Sequence, residues 1–120
     1  PKDLYDMLLI AEELNLPLDP AQCGPHKGTL PKSQSFLTLS GGNVQLTTFK
    51  QHEDREDSYT VRIFNPEAKT VTAKLTFAKP IKKAWLTNLN EERRKELKPT
   101  GKSLSIPLTK KKIATIELTI

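Results

Sequence analysis

From Ser35 to Ile120 the apolar residues recur mostly at every second position, the period of a half-buried β-strand. Tyr59, Val61 and Ile63 share one face while Thr60 and Arg62 take the other. Val71, Ala73, Leu75 and Phe77 oppose Thr72, Lys74 and Thr76, and Ala114, Ile116, Leu118 and Ile120 oppose Thr115, Glu117 and Thr119. The alternation predicts seven strands, at residues 35–39, 44–50, 58–64, 70–77, 82–89, 103–108 and 113–120. Turn residues separate them: "SGGN", "EDRED", "NPEAK", "AKP", "NEERRKELKPTGK" and "TKKK". Short strands at this spacing, with no helix between them, predict a mainly β fold, an antiparallel β-sandwich of about seven strands.

The first 34 residues follow other rules. In "DLYDMLLIAEELN" (3–15), Leu4, Leu8, Ala11 and Leu14 recur at helical spacing, and Met7 and Ile10 widen the stripe. Asp3 is placed to cap the helix, and Asn15 and Pro17 to end it. About three turns are marginal alone in water, so this helix needs a surface to dock on. Residues 16–34, with four prolines and two glycines, predict an extended connector. The organisation expected is a helix in residues 1–15 that belongs to, or docks on, a preceding part of a larger protein, a linker in 16–34 and a β-sandwich domain in 35–120.

A chain of 120 residues is long enough for one core that buries roughly two-thirds of the unfolded surface. The chain starts at Pro1 without a methionine and reads as a piece of a longer protein. A single cysteine, Cys23, excludes an internal disulfide framework and points to a reducing, cytoplasmic setting. No apolar run approaches the ~20 residues of a membrane-spanning helix. Charge is divided: residues 1–65 hold 6 Lys and Arg against 9 Asp and Glu, residues 66–120 hold 13 against 5. The basic half spreads most of its cations along strands, where they solvate a sheet and protect its edges. Its clusters, Arg93-Arg94-Lys95 and Lys110-Lys111-Lys112, contain no aromatic residue, so a nucleic-acid role is not expected.

Candidate chemistry is sparse. Cys23 and His26 supply at most two ligands where a structural zinc site needs four. "HEDRED" (52–57) gathers four carboxylates, which in a hairpin tip are expected to be solvated and ionised. Gly41-Gly42 reads as a hairpin turn at positive φ. Trp85, on the face opposite Ala84 and Leu86, is expected to pack in a core or interface rather than to form a sugar platform. No nucleophile motif is present, and no residue here is expected to be catalytic or metal-binding.

In their order and spacing, "AEELNLPL" (11–18), "GTLPKSQSFLTLSGGNVQLTTFKQHED" (28–54), "VRIFNP" (61–66), "IKKAWLTNLNEE" (81–92) and "IATIEL" (113–118) resemble the C-terminal region of glycoside hydrolase family 38 α-mannosidases, in particular the bacterial, mannosylglycerate hydrolase-like branch. The resemblance implies a parent enzyme that cleaves α-mannosidic bonds with retention and binds one zinc ion. Its zinc ligands and nucleophile belong to an N-terminal domain whose motifs do not occur in these residues, so none transfers here. On this view the chain is a noncatalytic sandwich whose partner is the catalytic domain of the same parent. It would support that domain, border its cleft and meet the mannoside only through it. Arg62 is expected to pair with a carboxylate on the outer sheet face, and Asn65 to start the turn at Pro66. The alternatives are an autonomous carbohydrate-binding module, which needs Trp85, Tyr59 or another aromatic exposed, and, behind it, a basic domain for nucleic acid or anionic surfaces.

Overall fold

The computed structural model describes residues 2–120. One helix, α1 (Leu4–Asn15), precedes eight strands: β1 (Leu37–Ser40), β2 (Gln45–Gln51), β3 (Ser58–Phe64), β4 (Val71–Phe77), β5 (Lys83–Thr87), β6 (Arg93–Leu97), β7 (Ser103–Leu108) and β8 (Ile113–Thr119). They form two antiparallel sheets, ordered β1-β4-β7 and β2-β3-β8-β5-β6. The fold is therefore the expected sandwich, with one strand more than the alternation predicts.

That strand is β6, "RRKEL", which the sequence pattern assigns to a turn. Its residues are charged up to Leu97, so they show no apolar alternation. β6 is nonetheless an edge strand paired with β5 alone, with Leu97 opposite Ala84 and Glu96 opposite Trp85. An edge strand buries little, and charged side chains there prevent pairing with other chains.

The core lies between the sheets. Val61, Ile63, Ala73, Leu75, Phe77, Ala84, Leu104, Ile106, Leu108, Ile116 and Leu118 are buried in one cluster. The period-two expectation holds for these faces, because each strand presents one side to the facing sheet. Tyr59, half-buried, packs against this cluster and Phe49, with ring centroids 5.9 Å apart.

The connections depart from the expected hairpins. The turn at Gly41-Gly42 carries the chain from the three-stranded to the five-stranded sheet, since β1 pairs with β4 and β2 with β3. Both glycines have positive φ (+92° and +147°), and a Cβ at Gly41 would stand 2.1 Å from the Thr72 carbonyl oxygen. Only a residue without a side chain allows that approach. The turn after β3 also crosses between sheets and is fixed by Asn65, which is fully buried. Its Oδ1 accepts from the Glu67 N–H (2.9 Å), the expected start of the Pro66 turn. Its Nδ2 donates to the carbonyls of Lys69 and Thr109, each at 2.9 Å, and Leu108, at 3.2 Å.

α1 begins as the sequence predicts, with the Asp3 carboxylate accepting from the Asp6 N–H (3.0 Å). It ends at Asn15, whose Nδ2 donates to the Ala11 carbonyl. None of its residues is buried, and residues 16–36 form no helix or strand and are exposed throughout. No helix among the described residues is long and apolar enough to cross a membrane.

Candidate functional site

β8 is the middle strand of the larger sheet and is covered on both sides, so its outward residues Thr115 and Glu117 are as buried as its inward ones. The cover on the outer side comes from two loops. Residues 52–57, between β2 and β3, bring in His52 and Arg55. Residues 88–92, between β5 and β6, bring in Leu89 and Glu91. The second loop is tied by Asn88, whose Oδ1 accepts from the Glu92 N–H (2.9 Å), and it holds Glu91 at a left-handed φ of +64°.

Glu117 is 0% exposed, and an isolated carboxylate there would be strongly disfavoured. Arg93 binds it with both ends of the fork, Nη2 to Oε1 at 2.6 Å and Nε to Oε2 at 2.9 Å, and Arg55 Nη1 donates to Oε2 at 3.2 Å. Burial alone would raise the Glu117 pKa. Hydrogen bonds from Arg93 and Ser58, and the Arg93 and Arg55 charges, outweigh it and hold the carboxyl below its ordinary value. The same hydrogen bonds, donated by Arg93 to Glu117, raise the pKa of Arg93. The Arg93 guanidinium also lies 3.6 Å over the Trp85 ring. Guanidinium and ring stack favourably, and that face of Trp85 is closed to a sugar.

Glu91, 14% exposed at its side chain, accepts from Lys50 Nζ (3.0 Å) and Thr60 Oγ1 (3.1 Å). Burial pushes its pKa up, but Lys50 and Thr60 prevail and hold it below the ordinary carboxylate value. Between the two carboxylates stands His52, buried at 5% exposure. The Asp54 N–H donates to its Nδ1 (3.1 Å), while Nε2 lies 2.9 Å from Arg55 Nη1 and 3.7 Å from Glu91 Oε2. A neutral imidazole has one proton and one lone pair, so His52 can accept from Asp54 or Arg55 but not both.

This arrangement stores charge and does not release it. A general acid at neutral pH needs a carboxyl pKa raised towards the working pH, whereas both carboxyls here are lowered. A carboxylate nucleophile needs an open approach, and both oxygens of Glu117 are engaged and covered. The geometry is that of a structural ion-pair network.

The expected residues divide accordingly. Cys23 and His26 are exposed in the connector, with His26 Nδ1 against the Lys27 carbonyl. Among the described residues no three His, Cys, Asp or Glu side chains group so as to hold a metal, and His52 faces a guanidinium. The zinc implied by the resemblance does not fit this donor set. In "HEDRED", Glu53, Asp54, Glu56 and Asp57 are exposed as expected, while His52 is buried and Arg55, itself exposed, reaches Glu117 on β8 with Nη1. Among the described residues Arg62 makes no ion pair with a carboxylate. Its Nε donates to Thr115 Oγ1 (3.0 Å) and its Nη2 to the Leu89 carbonyl (3.3 Å), because Thr115 is the residue opposite it on β8. Glu117 was legible only as an outward residue, although a carboxylate between Ile116 and Leu118 in a closing strand hints at a buried acid that needs cations.

A second feature lies at the open side of the sandwich. There β7, the edge of the three-stranded sheet, and β6, the edge of the five-stranded sheet, both contribute to one opening. The result is an open groove of about 900 Å³, floored by Leu86, Leu97, Ile106 and Ile113. Arg94 and Lys95 stand on its β6 wall, and Lys111 and Lys112 on the wall formed by the turn before β8.

Residues 43–116, well over half of the chain, match the family described as glycosyl hydrolases family 38 C-terminal beta sandwich domain. No curated protein and no solved structure gave a significant match. The matched span runs from Asn43, two residues before β2, into β8 and takes in both loops that cover the outer face. Sandwich architecture and family match agree, and the chain belongs to the glycosyl hydrolase family 38 C-terminal β-sandwich domains.

Proposed function

We propose that this chain is a noncatalytic support domain of an α-mannosidase-type hydrolase of the bacterial, mannosylglycerate hydrolase-like branch. It stabilises a catalytic body that carries the zinc ion and the reacting carboxylates and hydrolyses α-mannosidic bonds in the cytoplasm. The observation that carries this reading is the state of the buried acids. Glu117 and Glu91 are each neutralised by cations and held ionised, an arrangement that favours rigidity over proton transfer. Support of this kind needs a stiff body more than a reactive one.

The test compares the purified chain with the same chain joined to its catalytic portion. The chain alone is expected to leave a chromogenic α-mannoside intact, and the joined protein to hydrolyse it and to unfold at a higher temperature than either part. Hydrolysis by the chain alone, surviving repurification and lost on Glu117→Gln, would refute the proposal. Calorimetry with mannose oligosaccharides separates the carbohydrate-binding alternative; millimolar binding lost on Trp85→Ala would favour it.

A further inference from the structure

α1 and the groove are two unpartnered surfaces with opposite charge. Around the helix axis Leu4, Met7, Leu8, Ile10, Ala11 and Leu14 form one apolar stripe, with Glu12 beyond its Leu8 edge and Asp6 and then Glu13 beyond its Ile10 edge. No cation lies between Asp3 and Asn15. Met7 and Leu14 are 55% and 81% exposed, so the stripe is in water. The groove reverses this pattern, with an apolar floor and a basic wall on each side. Arg94 is paired with Glu92, and Lys111 donates to the Pro66 carbonyl, which leaves Lys95 and Lys112, one on each wall, to meet an acidic ligand.

The groove suits a helix better than a strand. A strand would extend the smaller sheet along β7, but Pro107, next to the last residue of β7, has no N–H to donate. A three-turn helix, ~18 Å long, presents an apolar face with charged borders to such a cleft.

We propose that α1 docks in the groove of its own chain, with its stripe on the floor, Glu12 against one basic wall and Glu13 against the other. The connector permits this. Residues 16–36 reach roughly 70 Å when extended, at ~3.4 Å each, against a longest molecular dimension of 48 Å. A tether of this length holds α1 near the groove at an effective concentration on the order of millimolar. At micromolar protein, docking within one chain therefore prevails over exchange between copies. The docked form is a second arrangement beside the one described, in which α1 stands clear.

The test uses the full chain at micromolar concentration. Amide hydrogen exchange in residues 5–14 is expected to be slowed at least tenfold relative to the Lys95→Glu/Lys112→Glu variant, with β8 equally protected in both. A zero-length carbodiimide cross-linker is expected to join Glu12 or Glu13 to Lys95 or Lys112 in the monomeric fraction. The cross-link should vanish in the charge-reversed variant, and exchange protection should return when Glu12→Lys/Glu13→Lys is added. Equal exchange of α1 in the native and charge-reversed chains would overturn the proposal and leave α1 for a surface outside this chain. Cross-links confined to covalent dimers would overturn it in favour of exchange between copies.

Discussion

The two faces of β8 are equally buried and held by opposite means. Inward, Ala114, Ile116 and Leu118 meet the aliphatic layer of the smaller sheet, where removal from water itself stabilises and no partner needs a particular direction. Outward, Thr115 and Glu117 are covered by loops, and burial there is unfavourable until each polar atom has a partner. No buried side-chain nitrogen or oxygen among the described residues lacks one. One face is therefore tolerant in detail and costly in bulk; the other is specified atom by atom, with little net gain in stability.

The largest effect should come from the inner face. Ile116→Ala leaves a cavity in a layer that cannot collapse around it, and is expected to lower stability by about 4 kcal/mol, read from the urea midpoint at unchanged slope. On the outer face Arg93→Ala leaves Glu117 buried with Arg55 as its one cation and Ser58 as a neutral donor, and uncovers Trp85. Because Arg93 is itself 37% exposed at its side chain and Arg55 remains, the expected loss is about 2 kcal/mol, less than the usual cost of breaking a fully buried pair. The double change Glu117→Leu/Arg93→Met removes both charges together and should cost less than Arg93→Ala alone. If it costs more, the outer face contributes net stability, and the contrast between the faces fails.

Acid titration sharpens the comparison with a smaller effect. The folded pKa values of Glu117 and Glu91 lie below the ordinary 4.5, so their contribution is fully present above that pH and is lost as pH falls through the folded values. The urea midpoint is expected to be flat near neutrality and to decline below about pH 4.5. Removing Arg93 takes away the main partner opposing the burial of Glu117, so in Arg93→Ala the decline should be shallower. The smallest effect is expected for Glu91→Gly. Glycine relaxes the left-handed φ of +64° but loses the contacts to Lys50 and Thr60. These oppose each other at roughly 1 kcal/mol each, and the net change in thermal midpoint should be within about 2 °C.

The same contrast explains what the sequence revealed. Inward faces were legible at Tyr59, Val61 and Ile63 and along β4 and β8, because burial against one sheet writes a period of two directly into residue type. Asn65 before Pro66 was legible because its turn is local. The outer face was not, since its partners come from loops far apart in sequence. Arg55 and Glu117 are 62 residues apart, and nothing within "HEDRED" or "IATIEL" marks one for the other. β6 was hidden for a related reason: an edge strand that carries charge for protection resembles a solvated loop. Strand pairing also decided which turns were hairpins, and the glycines at 41 and 42, although correctly assigned positive φ, did not say which sheet the next strand joins.

The position of β8 has a kinetic consequence. The strand synthesised last among these residues is the hydrogen-bonding centre of the larger sheet, so β2-β3 and β5-β6 are separate ribbons until it arrives between them. Neither ribbon is stable alone. Assembly must therefore wait for long-range closure, and a ribosome-bound or clipped chain ending before Ile113 would expose two sticky half-sheets rather than a slightly weakened domain.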